Sequence, residues 1–155
     1  MKFSENKRQL LHNKRELLYR KAQGKIYKDS YFSKISKFTN KDVVINNFLS
    51  LEETDILIDK INCKKIFWSK KKYNCSYKEV IAFIQSKMNN QFFYLLIDTE
   101  WKYCGAYIVM NEIAEEYDFD KLISDEIRII PHNLSFQIRI DYDFNEIECE
   151  YISYK

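Results

Sequence analysis

The residues of this chain that invite a chemical reading are four carboxylates near the C-terminus: Asp141, Asp143, Glu148 and Glu150. Leu134, Phe136, Ile138, Ile140, Tyr142 and Phe144 alternate with Ser135, Gln137, Arg139, Asp141 and Asp143, and Ile147, Cys149 and Tyr151 then alternate with Glu148 and Glu150. Strict period-2 alternation turns one side of each strand to a core and the other to water. A two-residue loop at Asn145-Glu146 predicts a hairpin in which Asp143 faces Glu148 and Asp141 faces Glu150, with Arg139 on the same side. Opposed like charges weaken a sheet by a few tenths up to ~1 kcal/mol each. A polar face that keeps them is expected to recognise something cationic. General acid–base work or a hard-cation site would need a cleft or ligands at fixed loop spacing, and a flat hairpin supplies neither.

Other reactive residue types are sparse or isolated. His132 follows Pro131 with no nucleophile tied to it by a motif, and His12 lies far away in a basic segment. Cys63, Cys75, Cys104 and Cys149 share no C-x-x-C spacing, so a zinc site is not expected. Only two glycines, Gly24 and Gly105, are present, which excludes both a dinucleotide fingerprint and a phosphate-binding P-loop. The expectation is a protein that is not an enzyme and needs no cofactor.

The 155 residues suit one domain, 1–155, with an ordinary globular composition of 46% hydrophobic and 31% charged residues. A net charge of +2 hides an asymmetry: residues 1–90 carry 20 Lys/Arg and 9 Asp/Glu, whereas residues 91–155 carry 5 and 14. The first part is therefore basic and mainly helical, the second acidic and mainly strand, and such a split suggests a macromolecular partner. The longest apolar run, Phe92–Ile97, is too short to span a bilayer, and the N-terminus leads into no signal-peptide core, so a cytoplasmic protein without a membrane partner is expected.

The elements that must position these residues read as follows. A basic helix carries Leu10, Leu11, Leu17, Leu18 and Ala22 on one stripe, docked on the core, with Gly24 as its terminator. Ser50–Glu53 and Ser76–Glu79 are capping boxes that open two further helices. Between them Ile66–Ser69 reads as a short strand whose neighbouring lysines protect a sheet edge. Strands are expected over Gln91–Asp98, Tyr103–Met110 and Glu126–Ile130, with a short helix within residues 111–122. The whole is an α+β fold, with N-terminal helices packed on one face of a mostly antiparallel sheet formed by the C-terminal half.

The layout resembles one known group. The Lys/Arg-rich opening helix, Asn47–Glu53, Phe67-Trp68, the strand ending in Asp98 followed by Trp101-Lys102-Tyr103, then Leu122–Glu126 and Ile140–Asp143 together resemble immunity proteins of bacterial polymorphic toxin systems, including those of contact-dependent growth inhibition. The resemblance implies a non-enzymatic, cofactor-free, cytoplasmic partner of one cognate toxin, often a nuclease. It transfers no site residues. From the residues themselves, the acidic set with Arg139 is the expected partner surface, and Trp101 and Tyr103, with Tyr107 and Tyr154, are candidate aromatic anchors. The alternative reading is a nucleic-acid-binding module that uses the basic N-terminal half.

Overall fold

The computed structural model describes residues 2–88, 90–110 and 112–155, with side chains from Glu5 onward; Asn111, where the expected 111–122 helix begins, lies outside the described residues. Helix α1 (Lys2–Thr39) does not stop at Gly24. A Cβ at Gly24 would lie 2.5 Å from the Tyr103 carbonyl oxygen, so this glycine is a point of close approach rather than a terminator. Beyond it Tyr31, Ile35 and Phe38, at i, i+4 and i+7, are fully buried and form the true core stripe of the helix. Leu10, Leu11 and Leu18, expected to dock, are exposed. Among the described residues the first hydrogen bond from this helix to another element comes only at Arg20, beyond them.

Helix α2 (Leu51–Asn62) starts at a complete capping box between Ser50 and Glu53 and buries Leu51, Leu57 and Ile61. Strand β1 (Ile66–Cys75) is ten residues long, more than twice the expected stretch. Helix α3 (Tyr77–Met88) follows, with the Ser76 Oγ accepting the Glu79 N–H at 3.2 Å. Strand β2 (Phe93–Ile97) leads through helix α4 (Trp101–Cys104) to β3, which spans only Tyr107–Val109. The expected strand from Tyr103 is shortened because residues 101–104 close a helical turn instead. Helix α5 (Phe119–Leu122) precedes β4 (Glu126–Pro131), β5 (Phe136–Asp143) and β6 (Glu146–Tyr154).

The strands form one sheet in the order β1-β6-β5-β4-β2-β3. Every pairing is antiparallel. The α+β class is as the sequence predicts, with one strand, β1, contributed from the N-terminal half. Leu95 and Leu96 are adjacent on β2 and both fully buried, so this inner strand is covered on both sides. Phe83 of α3 meets Tyr151 edge-on at 5.6 Å and Phe119 of α5 stacks on Tyr142 at 4.8 Å, which sets both helices against the same side of β5 and β6.

A buried ion cluster ties α1 to the end of β2. The Lys34 ammonium, 4% exposed, donates to Asp98 Oδ2 at 2.7 Å and Glu100 Oε1 at 2.5 Å. Asp98 Oδ1 accepts the backbone N–H groups of Asp125 and Glu126. Burial alone would raise the Asp98 carboxyl, but Lys34 and these N–H groups outweigh it and hold the group below its ordinary value.

Candidate functional site

The β5–β6 hairpin keeps the predicted faces and changes the predicted register. Its loop is Phe144-Asn145, with φ of 48° and 65°, rather than Asn145-Glu146. Two successive positive φ values in a two-residue loop give a hairpin turn that follows the right-handed twist of the strands. Asp143 therefore faces Glu146, and Asp141 faces Glu148; Glu150 faces Arg139. The slip is two residues, so no side chain changes sides. The opposed carboxylate pairs remain two in number with different members.

Cross-strand registers extend these pairs into rows on one side of the sheet. The row nearest the hairpin tip is Asp143–Glu146. The next is Glu126–Asp141–Glu148, three carboxylates on three adjacent strands. The third is Arg128–Arg139–Glu150–Lys71. Cations of the third row reach back toward the second: Arg139 Nη2 lies 3.1 Å from Glu126 Oε1, and Lys71 Nζ lies 3.0 Å from Glu148 Oε1 and 3.7 Å from Glu150 Oε2. Glu148 and Glu150 are thus partly neutralised by the protein's own lysine, contrary to a wholly unpaired face, because β1 runs beside β6. Glu148 also raises the Lys71 ammonium above its ordinary value, chiefly through their hydrogen bond.

Asp141 stands differently. Among the described residues it and both members of the tip row take part in no ion pair. Burial pushes its carboxyl up, and the like charge of Glu126 adds to the rise. The face grades from mixed charge at the third row to uncompensated negative charge at the tip.

Two bulky apolar residues stand at this acidic end. Phe144 is 90% exposed and Ile123 87% exposed, and both adopt the left-handed conformation, Ile123 with φ 51°. Such a conformation costs a side chain with Cβ about 1–2 kcal/mol. Ile123 caps α5, where glycine or asparagine is usual. The Tyr142 hydroxyl links the loops that carry them, at 2.8 Å from Asp120 Oδ2 and 2.9 Å from Asn145 Oδ1. Alternation assigns Phe144 to the buried face, but the loop turns it out to solvent, and Ile123 carries no signal in the sequence.

The aromatic anchors expected from sequence are placed elsewhere. Trp101 is buried, with the Arg128 guanidinium 5.7 Å from its ring centroid, so it supports the basic row and offers no anchor to a partner. Tyr103 stacks on Tyr27 at 5.0 Å beside α1. Tyr107 is buried against Phe48, and Tyr154 accepts the Gln137 amide at 3.0 Å. Arg128 Nε donates to Gln137 Oε1 at 2.7 Å, which fixes the third row on the sheet.

Of the cysteines, Cys75 and Cys149 are buried, Cys104 is half-buried and Cys63 is exposed. Burial raises the Cys104 thiol to about 11 and the Cys149 thiol to about 12. His132 lies against Phe92, ring centroids 4.2 Å apart. Among the described residues no three His, Cys, Asp or Glu side chains gather in a metal-holding arrangement, and no helix is long and apolar enough to cross a membrane. A scan of protein families and a search of curated proteins both return no match to this chain.

Proposed function

We propose that the chain is a non-enzymatic, cytoplasmic immunity protein that binds and neutralises one cognate bacterial toxin, a nuclease, through the acidic end of its sheet. The observation that carries this reading is Asp141, flanked by carboxylates on both neighbouring strands and by no bonded cation among the described residues. Selection for stability alone would place Lys or Thr in that row. A nuclease must present positive charge to the phosphates it grips, and an acidic surface can occupy that groove in their place. Opposite charges also speed association and penalise wrong partners. Phe144 and Ile123 supply the apolar contacts that a charged rim lacks. The resemblance to polymorphic-toxin immunity proteins agrees with this chemistry.

The test uses as probe a nuclease domain of a toxin encoded next to the gene for this chain, where the neighbouring reading frame carries one. The triple variant Asp141→Lys, Asp143→Lys, Glu146→Lys should keep the circular-dichroism spectrum and bind that domain at least 100-fold more weakly, mostly through slower association at low salt. Undiminished binding by the variant would refute the surface. Absence of any complex between the parent chain and that domain would refute the function.

The exposed basic residues of α1 favour a second reading, a nucleic-acid-binding module. Its mark is an affinity for duplex DNA or RNA that falls linearly on a log–log salt plot. The uncompensated acidic end argues against it.

A further inference from the structure

The first half of α1 has a feature that the toxin-binding reading does not use. Lys7-Arg8-Gln9-Leu10-Leu11 is followed seven residues later by Lys14-Arg15-Glu16-Leu17-Leu18. Seven residues are close to two helical turns, so the repeat lays lysines and leucines along one side of the helix, each unit about 10.5 Å from the next. Within that side Lys7 and Lys14 lie between the Leu10/Leu17 line and the Leu11/Leu18 line. Leu10, Leu11 and Leu18 are exposed. Lys7, Arg8, Lys14 and Arg15 enter no ion pair among the described residues; the arm is first held at Arg20, bidentate on Asp55 at 2.8 and 3.0 Å, and at Lys21 on Glu52 at 3.1 Å.

Interleaved lysines count against a membrane as occupant, since sinking the leucines would sink the ammonium groups with them. They count against nucleic acid too, because phosphate contact would strand the leucines in water. A surface that is both acidic and apolar satisfies both residue types. Among the described residues, Asp141, Asp143 and Glu146 with the exposed Phe144 and Ile123 make such a surface, and these three carboxylates enter no ion pair.

A single chain cannot bring the two together. Phe38, at the far end of α1, reaches the hairpin through Tyr117 and Phe119 to Tyr142, with successive ring centroids 5.8, 4.8 and 4.8 Å apart. Along a helix that rises 1.5 Å per residue Leu10 lies about 42 Å and Leu18 about 30 Å from Phe38, which leaves roughly 15–25 Å between the arm and Tyr142 at the root of the acidic end. We infer that the occupant is a second copy of this chain: two molecules lie antiparallel, and each sets its basic arm on the other's acidic end. The exchange is reciprocal, so it closes as a two-fold dimer. It also covers the surface assigned above to the toxin, so the toxin must displace the arm.

Sedimentation equilibrium of the full chain tests this without the toxin. At about 50 mM salt the parent should show twice the monomer mass, and should dissociate by about 500 mM as the charges are screened. An arm variant, Lys7→Glu with Lys14→Glu and Arg15→Glu, should be monomeric. A tip variant, Asp141→Lys with Asp143→Lys and Glu146→Lys, should be monomeric as well. Mixed in equal amounts, the two should recover the doubled mass, because each reversed arm then meets a reversed tip. A parent monomeric at every concentration, a dimer indifferent to arm reversal, or a mixture that stays monomeric overturns the inference. So does a monomeric parent whose arm binds duplex DNA or phosphatidylglycerol vesicles. The result stands apart from toxin binding, which the separate complex assay reads.

Discussion

Replacing Phe144 by asparagine should make the protein more stable. Phe144 holds a φ of 48° in the hairpin loop, and a left-handed conformation costs an ordinary side chain about 1–2 kcal/mol. Asparagine tolerates this region and is favoured in such turns, so most of that strain is relieved. Little packing is lost in exchange. Full burial of a phenylalanine contributes up to about 3 kcal/mol, and a side chain with only a tenth of its surface covered forfeits about 0.3. Asparagine also avoids the extra unfolded-state entropy that glycine would introduce. The net gain is about 1 kcal/mol. For a chain of 155 residues that corresponds to a rise in Tm of roughly 2–4 °C. Differential scanning calorimetry of parent and Phe144→Asn, at a salt concentration where both are monomeric, reads the difference. A Tm that falls would show that Phe144 is held by packing within its own chain, and the case for it as a docking residue would go with it.

Two more outcomes follow from the charges. Lys34→Met should destabilise the fold by about 3–5 kcal/mol, because Asp98 and Glu100 are left buried without their cation; a urea midpoint close to the parent's would contradict this. Asp98 titrates below its ordinary value, so its contribution is present at neutral pH and disappears as pH falls through its folded-state pKa, and the Lys34→Met penalty should shrink in that acid range. Asp141 works in the opposite sense. Its folded-state pKa is raised, so its charge weakens the fold at neutral pH and the loss vanishes as pH drops toward the unfolded-chain value of about 4. Asp141→Asn should therefore match or exceed the parent in urea at pH 7, with the advantage fading near pH 4; a less stable variant at pH 7 would contradict the assignment.

Local chemistry was legible in the sequence wherever it was decided locally. The Ser50–Glu53 capping box and the Ser76 cap lie where hydroxyl and carboxylate spacing predicted them, and the alternation over β5 and β6 separates the two faces of the strands correctly, although Gln137 on the polar face is buried and Phe144, expected in the core, is exposed in the loop. The hairpin register was missed by two residues because the loop is built on a phenylalanine in a conformation that phenylalanine rarely adopts, and no propensity rule selects it. Gly24 misled for a tertiary reason: the Tyr103 carbonyl occupies the space where a side chain would be. The leucine repeat of α1 resembles a core stripe in sequence, while the residues that reach the core, Tyr31, Ile35 and Phe38, start two turns beyond the glycine. The Lys71 contact with Glu148 and Glu150 joins residues far apart in sequence and becomes visible only once β1 is known to flank β6.

Both margins of the sheet carry features that oppose an incoming strand. On one side β1 is kinked by register shifts at Ile66/Trp68 and at Lys72/Cys75, and Lys70, Lys71 and Lys72 line it. On the other, β3 is three residues long, and Phe48 bridges to Tyr107 there. A strand added at either margin would meet lysines and register shifts on one side and a three-residue partner on the other. Such margins favour binding through side chains, by contacts that salt can loosen and that a single substitution can retune.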